Sequence, residues 1–184
     1  MALSQQTMED AIWDVYAPAL LAVASIPNAS VVWSYQSNVL PSRPCATLTW
    51  VTRDEVIGAP ARDEIYPLAG TGYTQAIVHR RLHQVQLDVF AKVPKTGATA
   101  GTQAVAILGE VTRRFQTIAS RATFAAGGLA LRSVSPVQDL TQIVETAYET
   151  RASVDLTFAT VDQTTENAGE IVTVTAPTGT WTGV

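Results

Sequence analysis

Apolar residues in the first two dozen positions recur at helical spacing. Ile12, Val15, Tyr16, Ala19, Leu20 and Val23 line one stripe, with Thr7 as candidate N-cap and Asp10 three residues on. The pattern predicts a helix from Thr7 to Val23, kinked or cut short at Pro18. Beyond Pro27 and Asn28 the period changes to two. SVVWSYQ reads as a short strand and LPSRP as an extended, turn-rich connection. CATLTWVTR reads as a second strand, with Ala46, Leu48 and Trp50 facing one way and Thr47, Thr49 and Val51 the other. The strongest alternation is HRRLHQVQLDVFAKV: His83, Val85, Leu87, Val89, Ala91 and Val93 share a face, and Gln84, Gln86 and Asp88 take the opposite one. At about 3.3 Å per residue such a strand spans on the order of 40 Å, enough to cross a domain or project beyond it.

After KTGATAGT, a second helix is expected from Thr102 to Ser120. Ala104, Ile107, Leu108, Val111, Phe115 and Ile118 lie on its stripe, and Glu110, Arg113, Arg114 and Gln116 lie off it. LALRSV reads as a strand, and Ser135-Pro136 opens a third, short helix carrying Leu140, Ile143, Val144, Ala147 and Tyr148. TAYETRASVDLTFATV then switches from helical spacing to alternation, with Ala152, Val154, Leu156 and Phe158 on the apolar side and Ser153, Asp155 and Thr157 outward. A turn at DQTTENAG, a last strand EIVTVT and a tail over residues 176–184 complete the chain. Between the second and third strands, RDEVIGAPARDEI carries Arg-Asp-Glu twice, at Arg53, Asp54, Glu55 and again at Arg62, Asp63, Glu64, so residues 53–73 read as a charged loop or hairpin insertion. Helices clustered rather than alternating with strands predict an α+β fold in one domain over residues 1–184. The expected form is a mostly antiparallel sheet with two main helices on one face plus a short third helix.

Composition sharpens this picture. Among 184 residues 47% are hydrophobic, enough for a core, but only 15% are charged, against about 25% in ordinary soluble domains. Interface cores are depleted of Lys, Glu and Asp, so a charge-poor surface points to one covered by other subunits. A net charge of −4 argues against a protein that grips nucleic acid, which takes Lys and Arg in excess; a weakly acidic wall still lets DNA pass. Cys45 is the only cysteine, which excludes an intrachain disulfide and a Cys-rich zinc site. It follows Pro44 at a strand start and reads as a buried, inert thiol. No basic stretch precedes an apolar run in MALSQQTMED, so no secretory signal is expected, and no apolar run approaches the roughly 20 residues that cross a bilayer.

Candidate chemistry is sparse. His79 and His83 would align on a helix, but on a strand they stand about 13 Å apart by rise, too far for one metal. No G-x-S-x-G elbow accompanies them for a serine triad. Asp54, Glu55, Asp63 and Glu64 read as solvated legs beside their arginines rather than a cation site, and GATAGT lacks the Gly-Lys-Ser/Thr ending of a phosphate loop. No cofactor is expected. Two features remain. The neutral polar faces, Gln84, Gln86 and Asp88 on one strand and Ser153, Asp155 and Thr157 on another, are either a solvent face or a subunit seam or channel lining. Arg151 stands at the helix-to-strand junction, either neutralising the short helix's C-terminus or reaching a neighbouring subunit.

VVWSYQSNVLPSRPCATLTW, LHQVQLDVFAK with the Ala-rich helix after it, and VSPVQDLTQIVETAYETRASVDLTF, in that order, resemble the neck or tail terminator proteins of tailed bacteriophages. The resemblance covers residues 30 to 175, most distinctly at YETRASVDLTF. It departs in the charged RDEVIGAPARDEI segment and at Ala91, where the family pattern has glycine. It implies a non-enzymatic virion protein, assembled in the host cytoplasm into a homo-oligomeric ring, commonly of six copies. Such a ring caps the tail tube and joins it to the head-side connector or stopper while DNA passes through. Its partners would be other copies of itself, the tube protein and possibly a sheath protein, with no membrane. The charged segment and the lone aromatic Trp181 are then candidate anchors on neighbouring subunits. Another neck or head-completion component is an alternative; a small α+β hydrolase or ligand-binding protein, with a pocket around His79 or His83, is a more distant one.

Overall fold

In a computed structural model the described residues are 4–35, 41–57, 61–67, 72–91, 103–144 and 147–170. Helix α1 spans Gln5–Ala24. Its cap is Ser4, whose Oγ accepts the Thr7 N–H at 3.1 Å, three residues earlier than the expected cap. Pro18 does not end it. The ring sits on the exposed side while Ala17, Ala19 and Leu20 are buried, so tertiary packing carries the backbone past the missing N–H. The helix stops at Ser25, left-handed at φ 53°, whose N–H reaches the Leu21 carbonyl at 3.0 Å.

The expected second helix is two. α2 covers Gln103–Phe115 and α3 covers Ile118–Ala126. Thr117 breaks them apart: it is extended, its Oγ1 accepts the Ser120 N–H at 3.3 Å, and its own hydroxyl donates to the Arg114 carbonyl at 2.8 Å. A hydroxyl that offers the backbone such partners competes with the helix. Ile118, expected on the buried stripe, is consequently 88% exposed. Gly127 lets α3 close on α1, since a Cβ there would stand 2.3 Å from the Ala11 Cβ.

The strands, numbered along the chain, are β1 Val31–Trp33, β2 Cys45–Val56, β3 Ala61–Pro67, β4 Gly72–Ala91, β5 Ala130–Val134, β6 Gln138–Asp139, β7 Gln142–Val144 and β8 Ala147–Glu170. The sheet runs β1-β2-β4-β8-β5, with β3 on β4 and β6 and β7 on β8. Only the β1–β2 pair is parallel among the described residues. The fold is α+β, as expected. One expected helix is absent: the stretch from Pro136 to Tyr148 forms β6, β7 and the start of β8. Its backbone is satisfied by β8, with the Ser135 N–H on the Asp155 carbonyl at 2.9 Å and the Leu140 N–H on the Arg151 carbonyl at 2.8 Å. Two expected loops are also strand, since β4 begins at Gly72 and β8 continues through DQTTENAG to Glu170. Of the expected last strand EIVTVT, all but Glu170 lies outside the described residues, as does the 176–184 tail.

The helices cover one face of the sheet. Beneath them lie rows set by the register, Ala46–Val89–Ala152, Leu48–Leu87–Val154 and Trp50–Val85–Leu156, and then the His83–Phe158 pair. Phe124 closes on Phe158 at 5.1 Å and on Phe115 at 6.2 Å, edge to face. Among the side chains described, the last buried ones are His83 and Thr160, and the β4–β8 pair continues to Gly72 opposite Glu170. The pair is thus on the order of 65 Å long, and its distal half is an arm. β2 and β3 follow one another along the same side of β4, Val56 opposite Arg81 and Ala61 opposite Val78. The two Arg-Asp-Glu repeats therefore do not form the two legs of one hairpin; they lie end to end.

Candidate functional site

The pleat sends Gln84, Gln86 and Asp88 away from the helices because His83, Val85, Leu87 and Val89 point toward them. The same holds for Ser153, Asp155 and Thr157 against Val154, Leu156 and Phe158. Register then joins the two sets: Gln84 faces Thr157, Gln86 faces Asp155 and Asp88 faces Ser153. β2 adds Thr49 opposite Gln86 and Thr47 opposite Asp88, making a three-strand polar patch. Alternation alone places Thr47 and Thr49 on the polar side of their strand, and register joins them to this site.

Two pairs within the patch are bonded. Gln86 Nε2 donates to Ser153 Oγ at 2.8 Å. The Arg151 guanidinium donates through Nε and Nη2 to the two Asp88 carboxylate oxygens at 3.4 and 3.2 Å, and lies 5.2 Å from the Phe90 ring centre. Asp88 is 4% exposed, so its charge is neutralised within the chain. Arg151 caps no helix, because the residues before it are β8, and its guanidinium is engaged on its own chain. Asp155 is tied at the backbone, its N–H donating to Ser135 Oγ at 2.9 Å.

The charged repeats lie elsewhere. Arg53 donates to Gln5 Oε1 at 2.6 Å and sits 5.3 Å from the Trp50 ring, while Glu55 is exposed. Asp54 is in β2; Arg62, Asp63 and Glu64 are in β3 against β4. Trp181 lies outside the described residues.

A second cluster escaped sequence reasoning. Glu9 is 2% exposed and accepts from Trp50 Nε1 at 2.8 Å, from Gln5 Nε2 at 2.5 Å and from the Tyr35 hydroxyl. Burial acts to raise its pKa, but these donors and the Arg53 charge outweigh it and hold the carboxyl below its ordinary value. Desolvation, and then Glu9, push Tyr35 up to about 12. Trp33 stacks on Trp50 at 5.4 Å. The available signal was that Met8 and Glu9 extend the α1 stripe four and three residues before Ile12, which places a carboxylate on a buried face.

His83 contacts the Thr160 hydroxyl through Nε2 at 2.9 Å and meets Trp50 edge-on at 6.1 Å. With His83 1% and Thr160 6% exposed, this hydroxyl–imidazole pair is closed to substrate. Among the described residues no group of three His, Cys, Asp or Glu is placed to hold a metal, and no helix is long and apolar enough to cross a membrane. Cys45 is buried, as expected. What this geometry offers is a long strand pair that carries, opposite the helices, a polar face on which Asp88 and Arg151 neutralise one another.

Residues 6–182 match the phage neck terminator protein family. The chain belongs to that family. No curated protein matches it. A phage neck terminator protein is a structural part of the virion, and its work is done against the other head and tail proteins it meets there.

Proposed function

We propose that this neck terminator protein forms a closed homo-oligomeric ring, a hexamer, that ends the tail tube and joins it to the head-side connector or stopper. The observation that carries the reading is the family match along nearly the whole chain. The polar β2–β4–β8 face supports it: Gln86 bonds Ser153 and Asp88 is paired with Arg151, so the face carries little free charge and suits a seam or the wall of a conduit through which DNA passes without specific binding. Closed symmetry lets identical subunits finish without an open edge. The ring assembles in the host cytoplasm, and it contacts the tube protein and, in a contractile tail, the sheath. The action is steric, with no catalytic step and no cofactor. Native mass with negative-stain imaging tests it. A ring with a pore wide enough for duplex DNA is expected. A 19.6 kDa monomer, both free and on isolated tails, overturns the reading.

A further inference from the structure

Among the described residues the arm is a three-strand ribbon, β3-β4-β8, open along both edges. In the body the far side of β8 is taken by β7, β6 and β5, and that pairing ends with Ala130 opposite Ala159. Beyond Ala159 the described partner of β8 is β4 alone, and the described partner of β3 is likewise β4 alone. Each open edge presents a row of backbone N–H and C=O groups that another strand can complete, and folded proteins rarely leave such rows uncovered.

The two edges match each other. Register through β4 sets Ala61 level with Gln163, Arg62 with Thr164, Asp63 with Thr165 and Tyr66 with Asn167. Both edge strands are antiparallel to β4, so they run in one direction. Rotation about an axis along the arm keeps the height of every residue and the direction of every strand. It therefore brings the β3 edge of one copy beside the β8 edge of the next, level and parallel. A two-fold contact would instead set β8 against β8, or β3 against β3, and leave the other edge open. The sequences that meet oppose no like charges, since Gln163, Thr164 and Thr165 are neutral where β3 carries Arg62 and Asp63. We infer that residues 163–167 of β8 in one copy pair in parallel with β3 of a second copy, joining the arms edge to edge. The contact is head-to-tail, and its repetition closes a ring that leaves neither edge of the arm unpaired. This rests on the ring reading above and assigns its seam.

Cysteine cross-linking in the full chain tests it. Cys45 is buried, so the added thiols are the reactive ones. Thr164→Cys in one chain is mixed with Ala61→Cys, Arg62→Cys or Asp63→Cys in another, and disulfide formation is followed on assembled rings, whose assembly shows that each variant folds. Within one chain β3 and β8 lie two strand spacings apart, about 10 Å, too far for a disulfide, so every bond reports a seam. Cross-linking should be about tenfold faster at alternate β3 positions, because successive side chains take opposite faces. With the edges level, the fast position is Arg62, and a chain carrying both Arg62→Cys and Thr164→Cys closes into a covalent ring. Rings that form without any such bond, or bonds equally fast at all three positions, overturn the inference while leaving the ring intact. Thr164→Cys that couples to itself overturns it in favour of a two-fold β8 contact. Cross-linking that appears only in a chain ended at Glu170 overturns it by giving that edge to residues 171–184. A wild-type chain that never forms a ring sinks the proposed function first.

Discussion

The two halves of the β4–β8 pair share one hydrogen-bonded ladder but not one source of stability. From His83 to Ala91 and Thr150 to Thr160 one face is sealed by α1, α2 and α3, and Val85, Leu87, Val154, Leu156 and Phe158 are at most 1% exposed. From Gly72 to Arg81 and Val161 to Glu170 the ladder continues with β3 alongside, and Val161 is 61% exposed. Apolar burial at roughly 25 cal/mol per Å² accrues to the first half; in the second, backbone pairing contributes with little burial where side chains are described.

Mutations in the two halves should therefore separate stability from assembly. Phe158→Ala removes the ring against which Phe124 packs at 5.1 Å. It should cost about 3–5 kcal/mol in denaturant unfolding; a cost under 1 would mean the helices do not hold the sheet. Glu9→Gln comes next, at about 2 kcal/mol, because charge-assisted hydrogen bonds from Trp50, Gln5 and Tyr35 are weakened. The folded Glu9 pKa lies below its reference value of 4.5, so the folded state binds fewer protons there. Its stabilisation is complete above about pH 4.5 and is lost as pH falls through the folded pKa. The gap between wild type and variant should shrink in acid, and an unchanging gap would remove the charge from the explanation.

The same division decides what could be read from the sequence. Alternation at His83–Ala91 and Ala152–Phe158 was legible because one buried face forces period two. DQTTENAG, polar and turn-like, offered no such contrast, and its strand is set by pairing with β4. Leu140, Ile143, Val144 and Ala147 fall at helical spacing, yet pairing with β8 satisfies that backbone instead of a helix. The polar patch was legible strand by strand, but its unity depends on register. The Glu9 cluster joins α1, β2 and Tyr35 across more than 40 positions, beyond any local pattern.

Tyr16 gives a smaller and opposite effect. It is fully buried under the sheet-facing stripe of α1, and its hydroxyl has no hydrogen-bond partner among the described residues. Burial, reinforced by the Asp88 charge, pushes its pKa well above the ordinary value, so it stays neutral. Tyr16→Phe keeps the ring contact with Phe115 at 5.9 Å and removes a stranded polar group. Stability should rise by about 1 kcal/mol. A loss would show that the hydroxyl has a partner that matters.

The smallest change in folding is expected at Val161, on the arm side of the boundary. Val161→Ser alters a side chain that is already mostly in water, so the melting curve of the subunit should move by less than about 0.5 kcal/mol. If the arm base is a contact surface, the same substitution should weaken ring formation severalfold in concentration-dependent native mass, because an exposed aliphatic group loses its partner only in the assembly. A melting shift as large as that of Tyr16→Phe would place Val161 in the core of the subunit and erase the boundary between body and arm.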